Sequence, residues 1–201
     1  MEVAIPKKSR YSLAEYFRLA DESPTKLEFN CGEIIDMAGA TYDHNRIAAN
    51  LLREIGNRLK GKPCEATGSD TRVLAADGRY AYPDVTVVSG GPEFDPRDPK
   101  QLTITNPHTI FAVLSPATEA RDRGEKFIRY INIKSMQAYF LVAQSKPQIT
   151  SFVRRADGSW SVGDFVEGLD GCLRIQALNI ELPMGEIYAN VKFEGEPSAG
   201  S

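Results

Sequence analysis

Several signatures are missing from this chain, and each absence removes a class of function. No stretch approaches the roughly 18 consecutive apolar residues of a membrane helix, so no membrane association is expected. The opening residues, Met1-Glu2-Val3-Ala4-Ile5-Pro6-Lys7-Lys8, have no apolar core of the secretory type. Cysteine is scarce: Cys31, Cys64 and Cys172 stand far apart, odd in number and without a CxxC pair. That pattern argues against a disulfide framework or a cysteine zinc site and points to reduced thiols in a cytoplasmic setting. There is no glycine-rich phosphate loop, no GxSxG elbow and no HExxH pair. With only His44 and His108 in the whole chain, Ser115 lacks the context of a hydrolase triad. Positive charge is also in deficit: 24 Lys and Arg against 27 Asp and Glu give a net −3. No global basic footprint marks a nucleic-acid binder, although a local basic groove can coexist with an acidic surface.

What is present is an ordinary globular composition. At 201 residues, 42% hydrophobic and 25% charged, the chain can build a substantial core, expected as one domain over residues 1–193. Residues 194–201 read as a disordered tail.

Local patterns set out a mixed α/β order. Ser12 and Glu15 fit a capping box opening a short helix to about Ala20. Lys26 to Met37 alternates around Asn30-Cys31-Gly32 as a β-hairpin. His44 to about Leu59 is an amphipathic helix with Ile47, Leu51 and Ile55 on its apolar face; Arg46, Arg53 and Lys60 form a basic stripe beside it. Ser69 to Ala75 and Tyr80 to Val88 read as strands joined through Asp77-Gly78. The Pro-, Gly- and Asp-rich stretch from Ser89 to Pro107 is long enough to cover a site or meet a partner. Thr109 to Leu114 is a wholly apolar strand suited to a sheet centre. Asp122 and Glu125 suit the cap of a helix from Lys126 to about Ile133. Tyr139 to Ala143 returns as a strand. Gln148 to Arg154 and Trp160 to Phe165 flank Asp157-Gly158 as a hairpin, Cys172 to Leu182 reads as one late strand, and Met184 to Tyr188 as a helical turn. Together these predict a mixed sheet with helices packed on it and added β-hairpins.

Few residues stand out as carriers of chemistry. Asp84 follows Pro83, so the chain there is extended and the carboxylate faces away from Val85. It is either an edge acid facing solvent or a buried acid that needs a partner or cation. Lys126 falls in a first helical turn, where its charge opposes the dipole; near a phosphate the ammonium could stabilise developing charge. Glu28, flanked by Leu27 and Phe29, faces solvent or reaches the same cleft. His44, near a helix start, is a cap, a surface residue or a phosphate contact.

The succession Lys26-Leu27-Glu28-Phe29-Asn30-Cys31-Gly32-Glu33-Ile34-Ile35, Asp43-His44, Tyr82-Pro83-Asp84-Val85, Val113-Leu114-Ser115-Pro116-Ala117-Thr118 and Asp122-Arg123-Gly124-Glu125-Lys126 resembles the Uma family. These are bacterial endonuclease-like proteins within the PD-(D/E)XK restriction-endonuclease-like superfamily, and the resemblance runs from about Tyr11 to Phe193. It implies a four-stranded mixed sheet flanked by helices, with acids on two adjacent strands binding Mg²⁺ or Mn²⁺. Asp84 matches the motif Asp, Lys126 the Lys relocated from the position held here by Leu114, and Glu28 a frequent Glu of the first hairpin. Ala112 stands where the pattern expects Glu. The carbonyl of Val113 remains as a further metal ligand.

A methyl in place of a carboxylate should weaken Mg²⁺ binding, since that ion is held by charged oxygens. The resemblance therefore implies an endonuclease scaffold for nucleic acid, expected to be DNA, that is impaired or inactive as written. An engineered replacement and a naturally inactive relative both fit Ala112. Arg46, Arg53, Arg121, Arg123 and Arg129 are candidate phosphate contacts. Two rivals remain: a non-catalytic DNA-binding or interaction module, and an oligomerisation unit pairing as a homodimer through Gln148 to Phe165.

Overall fold

The computed structural model describes residues 9–37, 39–115, 119 and 122–193, apart from the side chain of Arg123. The expected tail at 194–201 lies outside the described residues.

Ser12 closes a reciprocal capping box with Glu15 and opens α1 (Leu13–Glu22). β1 (Leu27–Asn30) and β2 (Glu33–Asp36) form a tight hairpin. Its turn runs through Cys31 at φ +49° and Gly32 at φ +100°, the left-handed pair that a two-residue hairpin requires. Helix α2 (Tyr42–Arg58) starts two residues earlier than its apolar pattern suggests, because the Thr41 side chain accepts the His44 N–H at 3.2 Å. Ile47, Leu51 and Ile55 are fully buried, each worth about 1.5–3 kcal/mol of transfer free energy.

The next segment departs from its expected pattern. β3 (Cys64–Gly68) and β4 (Arg72–Leu74) replace a single strand from Ser69, and the expected strand from Tyr80 to Val88 is broken in two. β5 (Tyr80–Ala81) pairs with β1 and β4, whereas β6 (Val85–Ser89) pairs with β3 and β8 (Pro107–Leu114). Between them, Tyr82-Pro83-Asp84 carries the chain from one sheet to the other. Pro83 has no N–H to offer a ladder, so the break falls there. The long loop is not bare either: β7 (Thr103–Ile104) within it runs parallel to β4.

A wide π-type turn over Asp122–Lys126 leads into α3 (Phe127–Ile131). β9 (Ala138–Ala143) follows, parallel to β8, then the hairpin of β10 (Gln148–Arg154) and β11 (Trp160–Glu167). The late segment is a hairpin of β12 (Cys172–Ile175) and β13 (Ile180–Pro183), not one strand. Asn179 at φ +50° makes the reversal. α4 (Met184–Ile187) ends the described chain's regular structure.

Two sheets dominate: β2-β1-β5-β4-β7, and the mixed β11-β10-β9-β8-β6-β3. The second has six strands rather than four. Helix α2 and the β12–β13–α4 unit cover one face, burying Val85, Phe111, Val113 and Phe140. α3 covers the other, where Ile110, Ala112, Leu114 and Tyr139 pack with Tyr130. α1 lies on the first sheet through Tyr16, Phe17 and Leu27. Among the described residues no helix is long and apolar enough to cross a membrane, and Cys31, Cys64 and Cys172 are free thiols.

Candidate active site

The junction between the two sheets gathers most of the residues singled out above. Asp84, at the end of the crossing, accepts the Val113 N–H through Oδ2 at 2.8 Å. Its other oxygen, Oδ1, stands 3.5 Å from His44 Nε2. The same Nε2 lies 3.1 Å from the Val113 carbonyl oxygen. Val85 pairs with Phe111, so the antiparallel register carried one step further sets Asp84 opposite Ala112. A strand edge and a helix start thus converge on one carboxylate whose side chain is 21% exposed.

Glu28 enters from β1. It is 2% exposed, so the solvent-facing alternative is overturned. Its Oε1 stands 3.7 Å from Lys126 Nζ, which also lies 3.2 Å from Asp122 Oδ1. Lys126 therefore faces inward from the turn preceding α3, held between two buried acids. Arg129, one turn on, pairs with Glu125 and Asp77 and is largely buried, a poor position for a phosphate contact. A void of about 10 Å³, room for a single water, lies among Glu28, Arg79, Lys126 and Arg129.

Burial is the strongest influence on Asp84 and lifts its carboxyl above the ordinary range. His44, the Val113 N–H and Lys126 pull it back down, and Asp122 pushes it further up. Asp122 is the member that the sequence pattern concealed. It reads as a cap, yet it is 3% exposed, and Tyr139 Oη donates to its backbone carbonyl at 3.3 Å. The i,i+4 spacing to Lys126 was the available signal.

Other expectations fall away from this junction. Arg46 donates to the carbonyl of Asn190 and stacks on Tyr42, and Arg53 pairs with Glu54. Arg121 lies outside the described residues, as does the side chain of Arg123. Leu114 is buried against the α3 face.

The donors present do not fit a tightly held Mg²⁺. Of the three positions expected to bind the ion, Asp84 already accepts an N–H through Oδ2, position 112 offers a methyl, and Asp84 Oδ1 and the Val113 carbonyl remain, while Glu28 and Asp122 are engaged with Lys126. No group of three His, Cys, Asp or Glu among the described residues is arranged to hold a metal.

The architecture is that of a restriction-endonuclease-like fold. A crystal structure from Anabaena variabilis ATCC 29413, titled as a "putative nuclease belonging to DUF820", superimposes with a TM-score of 0.69 at 14% identity. The match covers 89% of this chain and 97% of that one. The sequence itself then places the chain within a group: residues 13–185 match the Uma2 family, described as "Putative restriction endonuclease", and the chain belongs to that family. Restriction-endonuclease-like proteins of this kind generally use divalent metals. Two Synechocystis (strain PCC 6803) relatives are similar along most of their length. Uncharacterized protein sll1609 is 35% identical over 148 residues, covering 73% of this chain and 82% of that protein. Uncharacterized protein slr1290 is 31% identical over 186 residues, covering 92% and 94%.

Proposed function

We propose that the chain is an endonuclease scaffold that engages nucleic acid, DNA in particular, on one domain over residues 1–193, and that its phosphodiester cleavage is impaired. The observation that carries this is the junction itself. Asp84, Glu28 and Lys126 come from three different elements to one place, and the β6–β8 register, extended one step past Val85 and Phe111, brings Ala112 level with Asp84.

Each residue has a role in this reading. Asp84 and the Val113 carbonyl are the oxygens offered to a cation, Mg²⁺ or Mn²⁺, and Ala112 marks where a third is missing. Lys126 places an ammonium where negative charge would build on a phosphate. Glu28 and Asp122 hold that ammonium in position. His44 faces Asp84 and not an open surface. We derive no hydrolytic step through a metal, because the donors do not fit one.

The test is Ala112→Glu, assayed for plasmid cleavage at high Mn²⁺ or Mg²⁺. Cleavage that appears in this variant and vanishes again with Asp84→Ala is the expected result. A variant that binds the ion yet leaves DNA intact sinks the enzymatic reading. The rival, a non-catalytic DNA-binding module, draws on the same Ala112 methyl. It predicts salt-dependent DNA affinity that survives loss of Asp84.

A further inference from the structure

Two oxygens remain for a divalent ion once residue 112 is a methyl: Asp84 Oδ1 and the carbonyl of Val113. His44 Nε2 stands against both, at 3.5 Å and 3.1 Å. Its other ring nitrogen, Nδ1, is buried and has no hydrogen-bond partner among the described residues. A bare acceptor tolerates that isolation better than an N–H does, so the proton belongs on Nε2. The ring N–H then points between the two oxygens, with the positive end of its dipole where the charge of a cation would sit.

The placement of the ring is built in from the sequence upward. Thr41 caps α2 by accepting the His44 backbone N–H, and this sets the first turn against the end of β8. The side chain is 12% exposed, so it is packed in place and not trailing in solvent.

We infer that His44 plugs the cation position: its Nε2–H and a divalent ion compete for the same two oxygens and exclude one another. The inference rests on the nuclease-scaffold reading for the identity of those oxygens. It goes beyond that reading by making the missing carboxylate only half of the obstacle. Restoring Glu at 112 would still leave the ion to displace an imidazole, and its apparent affinity falls by the fraction of molecules in which the plug is seated.

The experiment titrates Mn²⁺ alone, followed by electron paramagnetic resonance of the free ion, into full-length protein without nucleic acid. Four chains are compared: native, Ala112→Glu, and Ala112→Glu combined with either His44→Ala or His44→Asn. The Asn side chain keeps a polar group at the helix start but is too short to reach the Val113 carbonyl. It also replaces the Ala variant should that one fail to fold. The expected result is Mn²⁺ affinity about tenfold higher in the combined variants than in Ala112→Glu alone. Equal or weaker affinity without the imidazole overturns the plug, and weaker affinity would make His44 a ligand. No binding in any chain overturns it as well. Tighter Mn²⁺ in this titration, with no cleavage when the same chains are separately given plasmid, upholds the plug and defeats the nuclease reading. Cleavage by Ala112→Glu with affinity unmoved by His44 does the reverse.

Discussion

Among the described residues, two buried clusters that each pair acid with base are built differently. Under the long loop, Arg72 Nη2 meets Asp98 Oδ2 at 2.9 Å with both side chains 1% exposed. Asp98 also accepts the Thr103 hydroxyl at 2.7 Å and the N–H groups of Lys100 and Leu102. The guanidinium lies against the rings of Tyr16 and Phe17. At the sheet junction the corresponding contacts are long, 3.2 to 3.7 Å from Lys126 and His44. Burial works to raise both acids. For Asp98 the hydroxyl, the guanidinium and the amides outweigh it and hold the carboxyl below its ordinary range, while Asp84 stays above. A satisfied pair belongs to the scaffold. A buried acid whose carboxyl stays raised is the kind of group that the proposed site calls for.

Breaking the first cluster should have the largest effect. Asp98→Ala leaves the Arg72 charge buried without its carboxylate, and urea unfolding should show a loss of about 3–5 kcal/mol. Lys126→Met leaves Glu28 and Asp122 without their ammonium; because those contacts are long, the loss should be smaller, about 1–3 kcal/mol. Asp84→Asn should go the other way and stabilise the neutral-pH fold by about 0.5–2 kcal/mol while abolishing any cleavage.

Acidity sharpens the comparison through its sign. Asp98, depressed on folding, contributes stability above the unfolded carboxylate pKa of about 3.9 that is lost as pH falls through its lower folded value. Asp84, raised on folding, contributes its stability below that point and loses it as pH rises through its higher folded value. Melting curves of Asp98→Asn and Asp84→Asn against native protein should therefore differ in opposite directions as pH is lowered. Parallel curves would mean that the two clusters are alike after all.

Much of this was legible in the residues. Capping at Ser12, the Cys31-Gly32 turn and the apolar stripe of α2 are local, and local chemistry decides them. The conversion of Tyr80 to Val88 into two strands was not, because residues on both sides of Pro83-Asp84 suit a buried strand and only the choice of partners separates the two halves. Pro83 was the sole hint. The split of Cys172 to Leu182 into a hairpin depended on Asn179 adopting a left-handed turn, which Asn permits without demanding. At the site, Asp84 and Lys126 stood out because their surroundings made them costly. Asp122 and the inward turn of His44 did not, since a helix-start polar residue has several local uses and only packing selects among them.

The passage at Tyr82-Pro83-Asp84 ties the end of β5 in one sheet to the start of β6 in the other. A pyrrolidine ring clamps φ at that crossing, so it behaves as a stiff pin and not as a hinge. The Asp84 carboxylate leaves that crossing and accepts the Val113 amide of β8, so the acid is anchored from two directions: by the chain that joins the sheets and by the strand beside it.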